Sequence, residues 1–378
     1  MANGDTFWRI LVNECQQELV QAGHRDGQES GAIVRLVDFL LQEAAGQGAS
    51  DLHIEPWSGE VRFRLRIDGL LVVLPYRLPT KLASPLISRV KVMANMDIAK
   101  HQQPQDGAFF FLAGERRVDV RVASMPVYGG EMLVLRLLSL QEMPLSLGEL
   151  GFTAENEQKF RSLINQASGL IIVAGPMGSG KTTTLYSALQ EINTTAKNFI
   201  TLEDPIERHI SGVNQVQINP KAGLSYASGL RAALRQDAQG ILLGEIRDEE
   251  TALLAVRMAL TGHLLLTTLH TENAVAAIFR LLDMKVPAYL LAATLTGVLA
   301  QRLVRRLIPG EAEVFKGRLA LHELLVMDSV LREALLNGQS RERITALARK
   351  AGLKTLEEDG RLKVEKGWTT LAEVQRVL

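Results

Sequence analysis

Apolar residues change their spacing twice along this chain, and each change marks a different kind of element. Over residues 32–45, Ile33, Leu36, Val37, Leu40 and Leu41 recur three or four apart, which predicts an amphipathic helix. From Ser50 the period becomes two. Val61, Phe63, Leu65 and Ile67 share one face, while Arg62, Arg64, Arg66 and Asp68 share the other, and Asp68-Gly69 is a hairpin signal. The alternation returns over 117–122 and 133–137. Residues 32–140 therefore read as an antiparallel α+β domain whose exposed face carries arginines. Ahead of it, residues 1–31 read as a short tail, a brief amphipathic stretch followed by the flexible link 23–31.

Residues 141–150, with Pro144 and Gly148, read as a linker. Beyond them helical and apolar strand patterns alternate: helix 154–166, strand 170–174, helix 181–192, strand 198–203, helix 227–236, strand 240–245, helix 248–260, strand 263–270. This is the pattern of an α/β domain, a parallel sheet with helices on both faces, placed here at 151–328. Short helices follow over 329–378, where Thr370 and Glu373 form a capping-box signature.

Composition narrows the function. Of 378 residues, Lys plus Arg and Asp plus Glu number 42 each, so no basic excess favours a general grip on nucleic acid. Aromatics at 5% leave few platforms for stacking bases. One cysteine, Cys15, excludes an internal disulfide. Asp5, Glu14 and Glu18 argue against a signal peptide, and the longest nearly uncharged stretch, 286–300, is too short to span a bilayer.

The chemistry begins at Gly175-Pro176-Met177-Gly178-Ser179-Gly180-Lys181-Thr182, which fits G-x-x-x-x-G-K-[ST] between a strand and a helix. Glycines let successive N–H groups curl around a phosphate, and the helix that continues through Thr183 adds its positive end. Lys181 is placed to reach the β- and γ-phosphates, and the Thr182 hydroxyl to ligate Mg²⁺. The loop predicts nucleoside triphosphate binding.

In an open parallel sheet, ligands sit beyond the carboxyl ends of the strands. Three further predicted strands end in Glu203, Glu245 and His270. Glu245 is the candidate for polarising an attacking water, its alternative being a cap for the helix near Asp248. Glu203 is a candidate to assist the metal, or else a solvated carboxylate in the Asp204-Pro205 turn. His270 either senses the γ-phosphate or makes a local hydrogen bond. His263 stands at the other end of its strand. Gly244 occupies the position where many phosphate-loop ATPases carry a Walker-B aspartate. Arg117, Arg121 and Arg136 of the first domain and Arg231, Arg235 and Arg247 of the second are candidates to stabilise developing charge, although most exposed strand arginines have no such task.

Together these motifs resemble one family. The phosphate loop, the acidic box from Thr201 to Glu207, the run from Gly244 to Ala252, the histidine box from Thr261 to Thr271, and Ser50-Asp51-Leu52-His53-Ile54-Glu55-Pro56 occur in the order seen in the type II secretion and type IV pilus assembly ATPases. The resemblance covers residues 32–378. It implies a RecA-like ATPase domain preceded by a PAS-like α+β domain, and a cytoplasmic, homo-hexameric motor. Such a motor uses ATP and Mg²⁺ and drives an inner-membrane platform protein with its associated assembly proteins, so membrane association is peripheral and nucleic acid is not a partner. It further implies that Arg121 and Arg136 help close the site, that Glu203, Glu245 and His270 serve catalysis, that His263 also falls on a family position, and that glycine in the Walker-B position is normal.

Three departures stand out. About thirty residues precede the region of resemblance here, where many members carry an extra N-terminal domain. Their tetracysteine module is replaced by the short run from Leu307 to Arg318, so no zinc is expected, and Asp237-Ala238-Gln239 stands where the family has Asp-Pro-Asp. A pilus retraction motor, a nucleotide-binding scaffold without turnover and a DNA-handling ATPase are the alternative readings.

Overall fold

The structure, a computed structural model, describes residues 2–22, 31–139, 146–311 and 313–378. The chain divides into two compact units, Met1–Glu142 and Met143–Leu378.

The first unit contains α1 (Ala2–Ala22), α2 (Gly31–Gly46), β1 (Asp51–Trp57), β2 (Glu60–Ile67), β3 (Leu70–Pro79), α3 (Ala83–Met93), β4 (Gln105–Ala113), β5 (Arg116–Val127) and β6 (Gly130–Ser139). Its six strands form one antiparallel sheet in the order β3-β2-β1-β6-β5-β4. Val61, Phe63 and Leu65 point into the core, where the apolar stripe of α2 covers them. Here the structure departs from the expected N-terminal tail, because residues 2–22 form a packed helix. Trp8, Leu11 and Cys15 fall on one face of α1 and are buried. The Trp8 ring stacks on Tyr76 at 4.9 Å, and its indole N–H donates to the Arg77 carbonyl at 3.1 Å. The link expected over 23–31 lies, up to residue 30, outside the described residues.

The second unit contains α4 (Ala154–Ile164), β7 (Gly169–Ala174), α5 (Lys181–Ile192), β8 (Phe199–Glu203), β9 (Asn214–Gln217), α6 (Tyr226–Ala233), β10 (Gly240–Leu243), α7 (Glu249–Leu260), β11 (Leu264–Leu269), α8 (Ala274–Asp283), α9 (Ala288–Thr294), β12 (Leu295–Leu307), β13 (Phe315–Val326), α10 (Ser329–Leu336), α11 (Arg341–Lys350), α12 (Leu356–Glu365) and α13 (Leu371–Val377). Seven strands run in the order β13-β12-β7-β11-β10-β8-β9. All neighbours are parallel except the β12–β13 hairpin, which the sequence pattern did not announce. The strands are apolar throughout because both faces are covered. In β7, Leu170, Ile172 and Ala174 enter the core shared with α7, α8 and α9, while Ile171 and Val173 enter the core shared with α4 and α5.

Residues 141–145 of the expected linker lie outside the described residues. The rest of it, Leu147–Leu150, is a 3-10 turn closed by a Ser146–Glu149 capping box, with Leu147 and Leu150 buried in the second unit. The last helices pack on the hairpin through buried charge. Arg305 of β12 and Arg376 of α13 both hold Glu373, and Asp359 pairs with Lys363 inside α12.

Candidate active site

The carboxyl ends of β7, β8, β10 and β11 open onto one cleft of about 340 Å³ in the second unit. The phosphate loop forms one wall. Its backbone needs glycine at two places for stated reasons. A Cβ at Gly175 (φ 153°) would lie 2.5 Å from Ser179 Oγ and 2.6 Å from the Gln301 carbonyl oxygen, and one at Gly180 (φ 84°) would lie 2.8 Å from Gln301 Nε2. Lys181 opens α5 with Gly180 as its N-cap, so the helix points its positive end at the loop. Lys181 Nζ donates to the carbonyls of Gly175 and Pro176 at 2.9 and 2.8 Å. Burial pushes its pKa down to about 8, against the pull of Glu245.

Glu203, at the end of β8, is 3% exposed yet lines the cleft. It accepts hydrogen bonds from the Tyr186 hydroxyl, from Thr201 Oγ1 at 2.5 Å and from Gln215 Nε2 at 3.3 Å. The solvated-turn alternative for this residue is therefore set aside. Burial first, and the bond to Glu203 second, hold the Tyr186 phenol in its protonated form far above its ordinary range.

Glu245 follows β10 and does not cap α7, which is the task of Asp248, whose side chain accepts from Thr251 N. Instead Arg247 Nε donates to Glu245 Oε1 at 2.7 Å, and His270 Nε2 lies 3.4 Å from Glu245 Oε2. The Thr268 hydroxyl donates to the Gly244 carbonyl at 2.7 Å, which ties β11 to the turn carrying Glu245. Gly244 itself is hemmed in, because a Cβ there would meet Tyr226 Oη at 3.1 Å and the Leu202 carbonyl at 3.2 Å. Burial, then the charges of Glu245 and Asp204, push Tyr226 up to about 12.

The cleft thus gathers Gly178, Ser179, Gly180, Lys181, Thr182 and Thr183 with Glu203, Glu245 and His270. His263 sits at the opposite end of β11, against the Met258 carbonyl. Arg121 and Arg136 belong to the first unit, directly opposite one another on β5 and β6. Arg136 is held by Asp51 at 3.0 Å, and Arg62 and Arg64 both pair with Glu55. Much of the expected arginine face is therefore ion-paired, and Asp51 and Glu55 explain the acids in the Ser50–Pro56 run. Arg121 makes no ion pair among the described residues.

Sequence reasoning assigned no role to Tyr186, Glu207, Tyr226, Thr268, Gln301 or Arg318, all of which line or brace the cleft. Ala238 and Gln239 lie at the amino end of β10, where Gln239 Oε1 accepts from Asn198 N at 2.6 Å. That is the sheet edge opposite the phosphate loop.

The donor set fits a phosphate: glycine-formed backbone, a helix N-terminus, a buried lysine, and a Ser179 hydroxyl with no hydrogen-bond partner among the described residues. Mg²⁺ takes oxygen ligands and shares them with phosphates and water. Thr182 Oγ1 and the Glu207 carboxylate, 3.5 Å apart, offer such oxygens.

A family model described as type II/IV secretion system protein matches residues 26–376. The chain belongs to this family of secretion ATPases. This secretion-family chain is 43% identical to the type II secretion system ATPase E of Vibrio cholerae over 412 aligned positions, covering all of this chain and 80% of that one. It is 42% identical to the type II secretion system protein E of Xanthomonas campestris, over 93% of this chain and 68% of the relative. Among solved structures it resembles the Legionella pneumophila ATPase DotB, with TM-score 0.73 and 25% identity over 91% of this chain and 95% of that one. It also resembles the pilus retraction motor PilT with bound ADP, with TM-score 0.66 and 29% identity over 89% and 95%.

Proposed function

We propose that this chain hydrolyses ATP to drive assembly of a type II secretion pseudopilus or type IV pilus. It works as a homo-hexamer in the cytoplasm against an inner-membrane platform protein and its assembly partners. The observation that carries the reading is Glu245, fixed by Arg247 and His270 on the cleft that also holds the phosphate loop. Loop amides and Lys181 bind the triphosphate tail. Glu245 orients and polarises the attacking water, and His270, against its second oxygen, fixes that carboxylate. Mg²⁺, held by Thr182 and Glu207 and assisted by Glu203, would neutralise charge on the phosphates.

No helix among the described residues is long and apolar enough to cross a membrane, which suits attachment through partner proteins. Relatives of 41–43% identity named for type II secretion favour assembly over retraction.

Steady-state ATP turnover of the purified oligomer tests the reading. Glu245→Gln is expected to lower kcat by about 10²–10⁴ while nucleotide still binds, and Lys181→Ala to abolish binding. Turnover in wild type no higher than in Glu245→Gln would replace the motor with a non-hydrolysing scaffold. For Arg121, proposed to stabilise developing charge, substitution by alanine is expected to cut kcat far more than affinity. Equal losses would make it a substrate-positioning group.

A further inference from the structure

Strand β12 lies beside β7 with Ala300 opposite Ala174, so the next residue, Gln301, stands beside the first glycine of the phosphate loop. Its side chain is 1% exposed and both ends of the amide are engaged. Nε2 donates to the Ser179 carbonyl at 2.6 Å, and Oε1 accepts from Thr184 Oγ1 at 2.8 Å. One side chain therefore joins the apex of the loop to the first turn of α5.

The direction of the Ser179 carbonyl has a consequence for its neighbour. A trans peptide is planar, with C=O and the following N–H pointing opposite ways. Drawing the Ser179 carbonyl towards β12 turns the Gly180 N–H away from β12. The two close approaches noted above, of Gly175 to the Gln301 carbonyl and of Gly180 to Gln301 Nε2, show the loop seated against this residue with no room for a side chain.

We propose that Gln301 is a positioning residue: anchored by Thr184, it clamps the Ser179–Gly180 peptide so that its N–H is already aimed at a bound phosphate. This rests on the nucleotide-binding reading above. Gln301 does not touch the reacting atoms. Its contribution is to hold a donor that serves substrate and transition state alike, which governs KM more than kcat.

The test is steady-state ATP turnover of the full chain carrying Gln301→Met, which keeps the volume, Thr184→Val, which removes only the anchor, and both together. Gln301→Met is expected to raise KM about tenfold, the worth of one hydrogen bond to a charged group, with kcat little changed. Thr184→Val should raise KM less, and the double variant should match Gln301→Met alone, because Thr184 acts through Gln301. An unchanged KM in Gln301→Met, a fall in kcat at constant KM, or additive effects in the double variant would overturn the proposal. If Gln301→Met fails to fold, an unchanged KM in folded Thr184→Val overturns it instead. A wild-type chain that neither binds nor hydrolyses ATP defeats the nucleotide reading itself, whereas active wild type with unaffected variants defeats only the clamp.

Discussion

The Tyr186 hydroxyl donates to one oxygen of the Glu203 carboxylate, joining the middle of the helix after the phosphate loop to the end of β8, the next strand along the chain. Thr201 and Gln215 serve the other oxygen. A buried carboxylate that loses one donor keeps the desolvation cost without the compensation. Tyr186→Phe is therefore expected to lower unfolding free energy by about 1–3 kcal/mol. It should also slow ATP turnover, up to about 10²-fold if the carboxylate moves by an ångström. Denaturant titration and kinetic measurements on one preparation check both, and wild-type values for the two would show that Glu203 needs no such support.

Restoring the aspartate that many phosphate-loop ATPases carry at position 244 is expected to harm this chain. Space beside Gly244 is closed by Tyr226 and the Leu202 carbonyl. Overpacking of a filled site costs about 1–3 kcal/mol. Gly244→Asp should therefore melt earlier and turn over ATP more slowly than wild type. A faster enzyme would mean that Tyr226 yields easily.

The N-terminal helix makes a different prediction from the tail that residues 1–31 first suggest. With Trp8 enclosed by Tyr76, Phe63 and Phe39, Trp8→Ala should destabilise the first unit by about 3–5 kcal/mol. A surface tail would lose nothing measurable. Thermal unfolding followed by Trp fluorescence and circular dichroism separates the two.

Glu373 predicts a pH dependence. Burial alone would raise its pKa from 4.5, but hydrogen bonds from Arg376 and Arg305 outweigh it and hold the group at about 2. A carboxylate depressed in the folded state contributes stability that is complete above about pH 4.5 and fades as pH falls towards 2. Glu373→Gln should thus be less stable than wild type at pH 7, by roughly 3 kcal/mol at most, with the gap closing between pH 4.5 and 2. Urea unfolding across that range checks it, and a gap independent of pH would remove the ion pairs from the account.

Sequence pattern located the phosphate loop and the strands leading to Glu203, Glu245 and His270 because strands buried on both faces are uniformly apolar and end abruptly in polar residues. The β12–β13 hairpin escaped notice since Arg302, Arg305 and Arg306 break its apolar run, although Pro309-Gly310 marks its turn. Helix α1 was legible in part, with Trp8, Leu11 and Cys15 at helical spacing, but its length was not. Gln301 could not be read at all. Its meaning depends on the register of two strands 126 positions apart, as in the bond from Thr296 to the Leu170 carbonyl, and no local spacing encodes that.

Strand β12 carries two side-chain anchors at opposite ends of the second unit's chain. Gln301 grips the loop, and four residues further on Arg305 grips the final helix through Glu373. At about 3.3 Å per residue these holds lie roughly 13 Å apart on one hydrogen-bonded beam. The phosphate loop and the helix that carries Glu373 are thus anchored to a single strand, with neither a loop nor a turn between the two anchors.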